Sequence, residues 1–288
     1  MKSRYLFFAF FLFFGLFTKS FGQTRHTISF EGLEREYWLA LPEPLKPGAP
    51  LLVMLHGYTG SAKGEMPEVV EAGLRHGFAV CIPQGTRDPK GNPGWNVRYP
   101  MQEGMFVDDV AFIMHLCRTL QQEYGLSARN TFLTGMSNGG EMCYVFAWQH
   151  PEFFGAIASI SGLTMEWVVR EEQFRGHVPF MEVHGTADET SMWQGDPENT
   201  GGWGSYISVP VAVSHIAAMN RCITLETTKL PLLDSEKPSR QVYLHRYGGG
   251  EDDSEVLFYE VEGGGHSWML EDMNTPEIIF QFFMRHCK

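Results

Sequence analysis

Asn130-Thr131-Phe132-Leu133-Thr134-Gly135-Met136-Ser137-Asn138-Gly139-Gly140 is the stretch whose reading decides the fold. Asn130–Thr134 is short and rich in β-formers, as a buried strand should be. Glu141–Gln149 carries Met142, Tyr144, Val145, Phe146 and Trp148 in a helix-like run that stops before Pro151. Between them stands G-x-S-x-G, the glycine-flanked turn that lifts a serine hydroxyl off the end of a strand and onto the start of a helix. Glycine is needed there because a Cβ would strike neighbouring backbone. Ser137 is therefore the candidate nucleophile.

Working outward, the same alternation of strand and helix recurs. Thr27–Phe30 and Glu36–Leu41 read as an opening antiparallel hairpin, and Leu51–Leu55 as a strand buried on both faces. Helix-like Glu68–His76 precedes a second apolar run, Phe78–Ile82. Val110–Tyr124 places Val110, Ile113, Met114, Cys117 and Leu120 on one helical face. Strands follow at Ala156–Ile160, Phe180–Val183 and Val256–Val261, and Asn274-Thr275-Pro276-Glu277 opens a last helix. The pattern predicts an α/β chain with the α/β-hydrolase fold, a mostly parallel central sheet with helices on both faces.

A serine hydroxyl attacks only when a base removes its proton. In this fold the partners follow in the order Ser, Asp or Glu, then His. That order leaves His215, His245, His266 and His286 as bases. His215 and His286 fall in helical patterns and His245 in a strand-like one, whereas His266 follows a strand in the turn Gly263-Gly264-Gly265-His266-Ser267-Trp268. Asp188 is the candidate acid, just past the C-terminal end of strand Phe180–Val183, where sites of open α/β sheets gather. Glu189, Asp252 and Asp253 are its rivals. An oxyanion hole needs two backbone N–H groups. They are expected from Asn138, after the nucleophile, and Tyr58, in the loop His56-Gly57-Tyr58. Asp108 and Asp109 read as caps on the helix that follows them.

Two long polar loops, Asp88–Gly104 and Ser191–Tyr206, interrupt the alternation. Loops of that length in a compact domain are usually functional. Trp95, Tyr99, Trp203 and Trp268 are the aromatics expected to line a substrate cleft.

The chain carries a net charge of −12, so phosphate backbones are repelled and no nucleic-acid partner is expected. Residues 1–22 read as an export signal. Lys2 and Arg4 precede the apolar run Tyr5–Thr18, and small residues at Ser20 and Gly22 mark a cleavage site. As a helix the run spans roughly 21 Å, short of a bilayer core. A secreted catalytic domain over residues 23–288, extracellular or periplasmic and without a stable membrane anchor, is the resulting expectation. Cys81, Cys117 and Cys143 read as buried hydrophobes, while Cys222 and Cys287 are placed to pair after export. With no C-x-x-C or H-E-x-x-H spacing, neither a metal nor an organic cofactor is expected.

Taken in order, Leu51–Gly57, Val107–Ile113, Gly135–Gly140, His184–Asp188 and Gly263–Trp268 resemble the secreted polyhydroxybutyrate depolymerase/feruloyl esterase family over about residues 27–285. The resemblance implies a serine carboxylesterase with Ser137, Asp188 and His266 as its triad. Its expected substrates are feruloyl or related esters of plant polysaccharide, with hydroxyalkanoate polyesters as the alternative and a non-catalytic binding module as the remote one. The family often has a Cys- or Gln-containing stretch after the His-Gly, where this chain has Tyr58-Thr59-Gly60. That difference bears on the acyl pocket.

Overall fold

The computed structural model describes residues 22–173, 175–233 and 240–288. All but the last residue of the expected export signal lies outside the described residues. Twelve strands run in chain order: β1 (Thr24–Phe30), β2 (Leu33–Ala40), β3 (Leu51–Leu55), β4 (Ala79–Pro83), β5 (Thr86–Arg87), β6 (Pro93–Gly94), β7 (Thr131–Met136), β8 (Ala156–Ile160), β9 (Phe180–Gly185), β10 (Thr224–Lys229), β11 (Val242–Gly248) and β12 (Val256–Val261). The helices are α1 (Pro67–Arg75), α2 (Asp109–Tyr124), α3 (Asn138–Gln149), α4 (Glu166–Glu171), α5 (Val209–Met219) and α6 (Thr275–Arg285).

Ten strands form one sheet in the order β1-β2-β4-β3-β7-β8-β9-β12-β11-β10. Its centre, from β4 to β12, is parallel, and antiparallel pairs close both edges. This is the mostly parallel α/β-hydrolase sheet expected from the sequence. The edge strand β10 was not expected. Its sequence, TLETTK, is exposed throughout and lacks the apolar run that betrays a central strand. Pairing with β11 makes it a strand.

The five residues of β3 show how the sheet is held. All are fully buried, with Leu51, Val53 and Leu55 in the core shared with α2, α3 and α5. Leu52 and Met54 point to the opposite core, packed by α1 and α6. The period of two sends alternate side chains to opposite faces. Each such burial contributes roughly 1.5–3 kcal/mol.

Chain direction across the sheet changes at β3, since β4 lies on one side of it and β7 on the other. Loops leaving the C-terminal ends of β3 and β7 therefore part to either side and leave a crevice, the usual place for a site in such sheets. The carboxyl ends of β9 and β12, which precede Asp188 and His266, open on the same edge.

Asp108 caps α2, accepting Ala111 N–H at 2.8 Å. Asp109 is more than a helix-end acid. It is buried, 2.8 Å from the buried Arg35 guanidinium of β2, and accepts Asn96 N–H at 2.8 Å. Arg35 also lies 3.7 Å over the Phe112 ring. The expected Cys222–Cys287 pairing does not occur: all five cysteines are free. Cys222 Sγ instead lies 3.6 Å from Tyr247 O, on the β11 side of the turn after α5.

Candidate active site

Ser137 sits where β7 turns into α3, with φ 56° and ψ −122°. An L residue rarely adopts that backbone, and it persists only where its surroundings over-determine it. Here Ser137 N–H donates to Ile160 O at 2.9 Å, and Ser137 O accepts Glu141 N–H at 2.8 Å. The turn also presses α3 onto the end of β3: a Cβ on Gly139 would fall 2.3 Å from Leu55 O. Sequence pattern placed the helix start at Glu141. The helix begins three residues earlier, so the N–H of Asn138 heads its first turn.

Asp188 and His266 are joined by a zipper of loop contacts. Ala187 N–H donates to Gly264 O at 2.9 Å, and Gly263 N–H to Thr186 Oγ1 at 2.8 Å. The two loops lie so close that a Cβ on Gly185 would sit 2.2 Å from Gly264 O. The glycines after β12 thus admit the backbone at the end of β9. Asp188 is buried, with Oδ1 accepting the N–H groups of Thr190 and Ser191, each at 2.8 Å. Its Oδ2 lies 2.7 Å from His266 Nδ1. Glu189 is exposed, as are Asp252 and Asp253. His245 lies on β11 against Glu260, and His215 on α5.

A carboxylate facing Nδ1 leaves Nε2 as the nitrogen able to take a proton. Among the described residues no hydrogen bond joins that ring to Ser137 Oγ. Catalytic hydrogen bonds are often long in empty sites and tighten when substrate enters.

The loop after β3 faces the serine, since a Cβ on Gly57 would lie 3.4 Å from Ser137 Cβ. The N–H of Tyr58 meets no protein acceptor among the described residues. As the first residue of a helix, Asn138 has no carbonyl one turn back for its own N–H. Two free donors thus flank the hydroxyl. Sequence reasoning did not assign a role to His56, which sets one of them. Its Nε2 accepts Gly85 N–H at 3.0 Å, so Nδ1 carries the hydrogen and donates to Gly57 O at 2.7 Å. In a trans peptide, fixing that carbonyl turns the Tyr58 N–H the opposite way. Burial lowers the His56 pKa to about 4, which keeps this ring neutral. The Asn138 side chain makes a paired contact with Trp95, accepting its N–H at 2.7 Å and donating to its carbonyl at 3.0 Å.

Trp95 therefore has a different part from the one its sequence context implied. It is fully buried, and its indole N–H donates to His56 O at 2.9 Å. It braces both donor loops and is closed off from a substrate. The other three aromatics reach cavities. Tyr99, Ser137, Glu141, Leu163, Thr190, Ser191 and Trp203 line a small space of about 10 Å³. A wider cleft of about 490 Å³ passes Met66, Arg240, His266, Trp268 and Leu270. Burial raises the Glu141 pKa to about 7, against the opposing hydrogen bonds of Tyr99 and Asn138. A larger hollow of about 690 Å³, bordered by Arg129, Gly155, Pro179 and Ser254, opens at the amino ends of β7, β8, β9 and β12. It lies at the edge of the sheet opposite Ser137, so its size carries no weight in locating the chemistry.

The family model "Esterase", described as "Putative esterase", matches residues 32–222. The chain belongs to this esterase family. The chain is 22% identical over 239 residues to a bifunctional acetylxylan esterase/xylanase of Neocallimastix patriciarum, covering 82% of this chain and 31% of that protein. It is 27% identical over 123 residues to poly(3-hydroxyalkanoate) depolymerase C of Paucimonas lemoignei, covering 42% of this chain and 30% of the relative. The chain thus spans about a third of the length of these relatives. Among solved structures, an acetyl xylan esterase from Aspergillus awamori superposes with a TM-score of 0.61 at 14% identity, over 90% of this chain and 98% of that one. At that identity the likeness establishes the fold, which is that of α/β-hydrolases.

Proposed function

We propose that the protein is a secreted serine carboxylic-ester hydrolase, with residues 23–288 forming its catalytic domain. The observation that carries this reading is the 2.7 Å contact between Asp188 Oδ2 and His266 Nδ1, on the same sheet edge as a strained serine flanked by two free N–H groups. Ser137 Oγ attacks the ester carbonyl while His266 Nε2 takes its proton. The tetrahedral oxyanion rests on the Tyr58 and Asn138 amides. His266 then protonates the departing alcohol, and the imidazolium is stabilised by Asp188. A water deprotonated by the same histidine releases the acid from Ser137. The step needs no cofactor.

Cavity size bears on the ester. Drug-sized ligands occupy about 300–1,000 Å³. The space beside Ser137 is small, about 10 Å³, and walled by Tyr99, Leu163 and Trp203, whereas the cleft at His266 holds about 490 Å³; a short acyl group needs the least widening of the first, and a bulky alcohol fits the second. Acetyl or similarly short esters of polysaccharide are thus the favoured carbohydrate substrates, ahead of ring-bearing feruloyl esters. The acetylxylan esterase relative supports this choice. Short hydroxyalkanoate esters fit the same pocket, and the depolymerase relative keeps them as the second reading. The test is a panel of acetylated xylan, methyl ferulate and hydroxybutyrate oligomers, run beside fluorophosphonate labelling of Ser137. Release of acetate ahead of ferulate, with label lost in Ser137→Ala, is expected. Ferulate release exceeding acetate release refutes the acyl assignment, and absence of label on the wild-type serine refutes the mechanism.

A further inference from the structure

Beneath the Asp188–His266 pair lies a second buried acid–histidine pair that the reaction above does not use. Glu182 and His184 sit two residues apart on β9, so both side chains leave the same face of the strand. Both are fully buried. His184 Nδ1 is 3.0 Å from Glu182 Oε1, and His184 Nε2 is 2.8 Å from Ser191 O. The same Nε2 is 3.6 Å from Asp188 Oδ2, the oxygen that meets His266.

A carbonyl oxygen only accepts, so His184 Nε2 must carry a hydrogen. A second hydrogen must lie between Nδ1 and Glu182 Oε1, since two bare acceptors would repel at that distance. The pair is therefore neutral as a whole, with its hydrogen-bearing end towards Asp188. Ser191 is held from two directions: its N–H donates to Asp188 Oδ1 and its carbonyl accepts from His184. Burial works against a charge on either group: it raises the Glu182 pKa, while at His184 the contacts with Glu182 and the Ser191 carbonyl outweigh it and raise the pKa there too, so one proton is shared along the Nδ1···Oε1 contact. Facing Glu182 from α3 are the Cys143 thiol and Tyr144 phenol, both kept protonated chiefly by burial. The Trp193 ring stands edge-on to the His184 imidazole, with centroids 6.1 Å apart. Asp188, with His266 beyond it, is the remaining titratable partner.

We infer that Glu182 and His184 are positioning residues of the esterase reaction, presenting a positive hydrogen-bond donor to the back of Asp188 and thereby tuning the basicity of His266. The inference rests on the triad reading given above. The hydrogen-bearing, positive end of this neutral pair faces Asp188, offsets part of its negative charge and so weakens the hold of Asp188 on the His266 proton. Weakening that dipole leaves His266 protonated to higher pH.

Glu182→Gln tests this with little change of shape, because its amide can donate to a neutral Nδ1 and leave Nε2–H on Ser191 O. His184→Ala removes the donor altogether. Hydrolysis of p-nitrophenyl acetate is followed against pH, with thermal unfolding as the check on folding. Glu182→Gln is expected to fold, to keep kcat at its optimum within a few-fold of wild type, and to move the acid limb of kcat/KM to higher pH. Folded His184→Ala is expected to lose about ten- to a hundredfold in kcat with KM nearly unchanged, as misplacement by up to about 1 Å does. An unmoved acid limb in Glu182→Gln overturns the inference, whatever His184→Ala does. Loss of phosphonate labelling of Ser137 in the wild-type protein would instead sink the triad reading beneath it.

Discussion

Asp188→Asn separates the proposed catalytic part of this aspartate from its structural part. In the folded protein Oδ1 accepts two backbone N–H groups at 2.8 Å, and Oδ2 faces His266 Nδ1 at 2.7 Å. An asparagine oriented by the two backbone donors keeps its oxygen on Thr190 and Ser191. Its NH₂ group then points at His266 Nδ1. The imidazole must place its proton on Nε2 to accept that bond, and a protonated Nε2 cannot take a proton from Ser137. An equivalent change in a serine protease triad lowers kcat by about 10⁴, which is about 5 kcal/mol in the barrier. Stability should move little, because both backbone donors remain satisfied. Asp188→Ala strands them in a buried loop, at about 1–3 kcal/mol for each. The expected result is a loss near 10⁴ in kcat on p-nitrophenyl acetate for both variants, with a lowered unfolding midpoint for the alanine alone. Glu189→Gln, on an exposed side chain, is the control and should retain activity. Asp188→Asn within tenfold of wild type would refute the assignment of Asp188 as the acid.

Removing one partner of a buried ion pair leaves an uncompensated charge, so Asp109→Ala should cost about 3–5 kcal/mol by stranding Arg35. Urea unfolding measures this, and a loss below 1 kcal/mol would show that the guanidinium finds water or another partner. Trp203→Ala opens one wall of the small space beside Ser137 that is proposed to take the acyl group. Each methylene admitted into such a pocket is worth about 1–3 kcal/mol, so preference for butyrate over acetate esters should rise at least about tenfold. An unchanged chain-length profile would place the acyl group elsewhere. Glu141 has its folded pKa raised from 4.5 to about 7 by burial. The unfolded chain ionises it first, so stability from this group is complete below pH 4.5 and is lost as pH climbs towards 7. Glu141→Gln, which still accepts from Tyr99, should flatten the stability–pH slope in that window. An unaltered slope would mean that the carboxyl is not the group responsible.

Much of this was legible in one dimension because the elements concerned are local. The elbow needs glycines beside a serine between a strand and a helix, and all of its parts fall within residues 130–149. β3 and β4 are buried on both faces, so their composition alone marks them as central strands. The order of Ser137, Asp188 and His266 along the chain, with the turn in which each sits, narrowed the candidates to the set that the fold brings to one edge. Strand β10 escaped notice because an exposed edge strand has no apolar signature.

What the sequence could not decide was which polar residues face inward and which aromatics face the cavity. Trp95 and Trp203 occupy similar glycine-rich loops, yet one is sealed against His56 and the other walls the acyl space. The difference lies in their partners: Trp95 is tied to His56 and Asn138, whereas Trp203 stands against the Tyr58 and Tyr99 rings. His56, Glu182, His184 and Glu141 carry no pattern of their own, since a buried polar side chain is defined by partners far away in the chain. By itself the chain determined a strained serine on an α/β scaffold and the residues able to serve it. Only the tertiary structure closed the loops after β9 and β12 onto each other, because the backbone contact between Ala187 and Gly264 joins residues 77 apart along the chain.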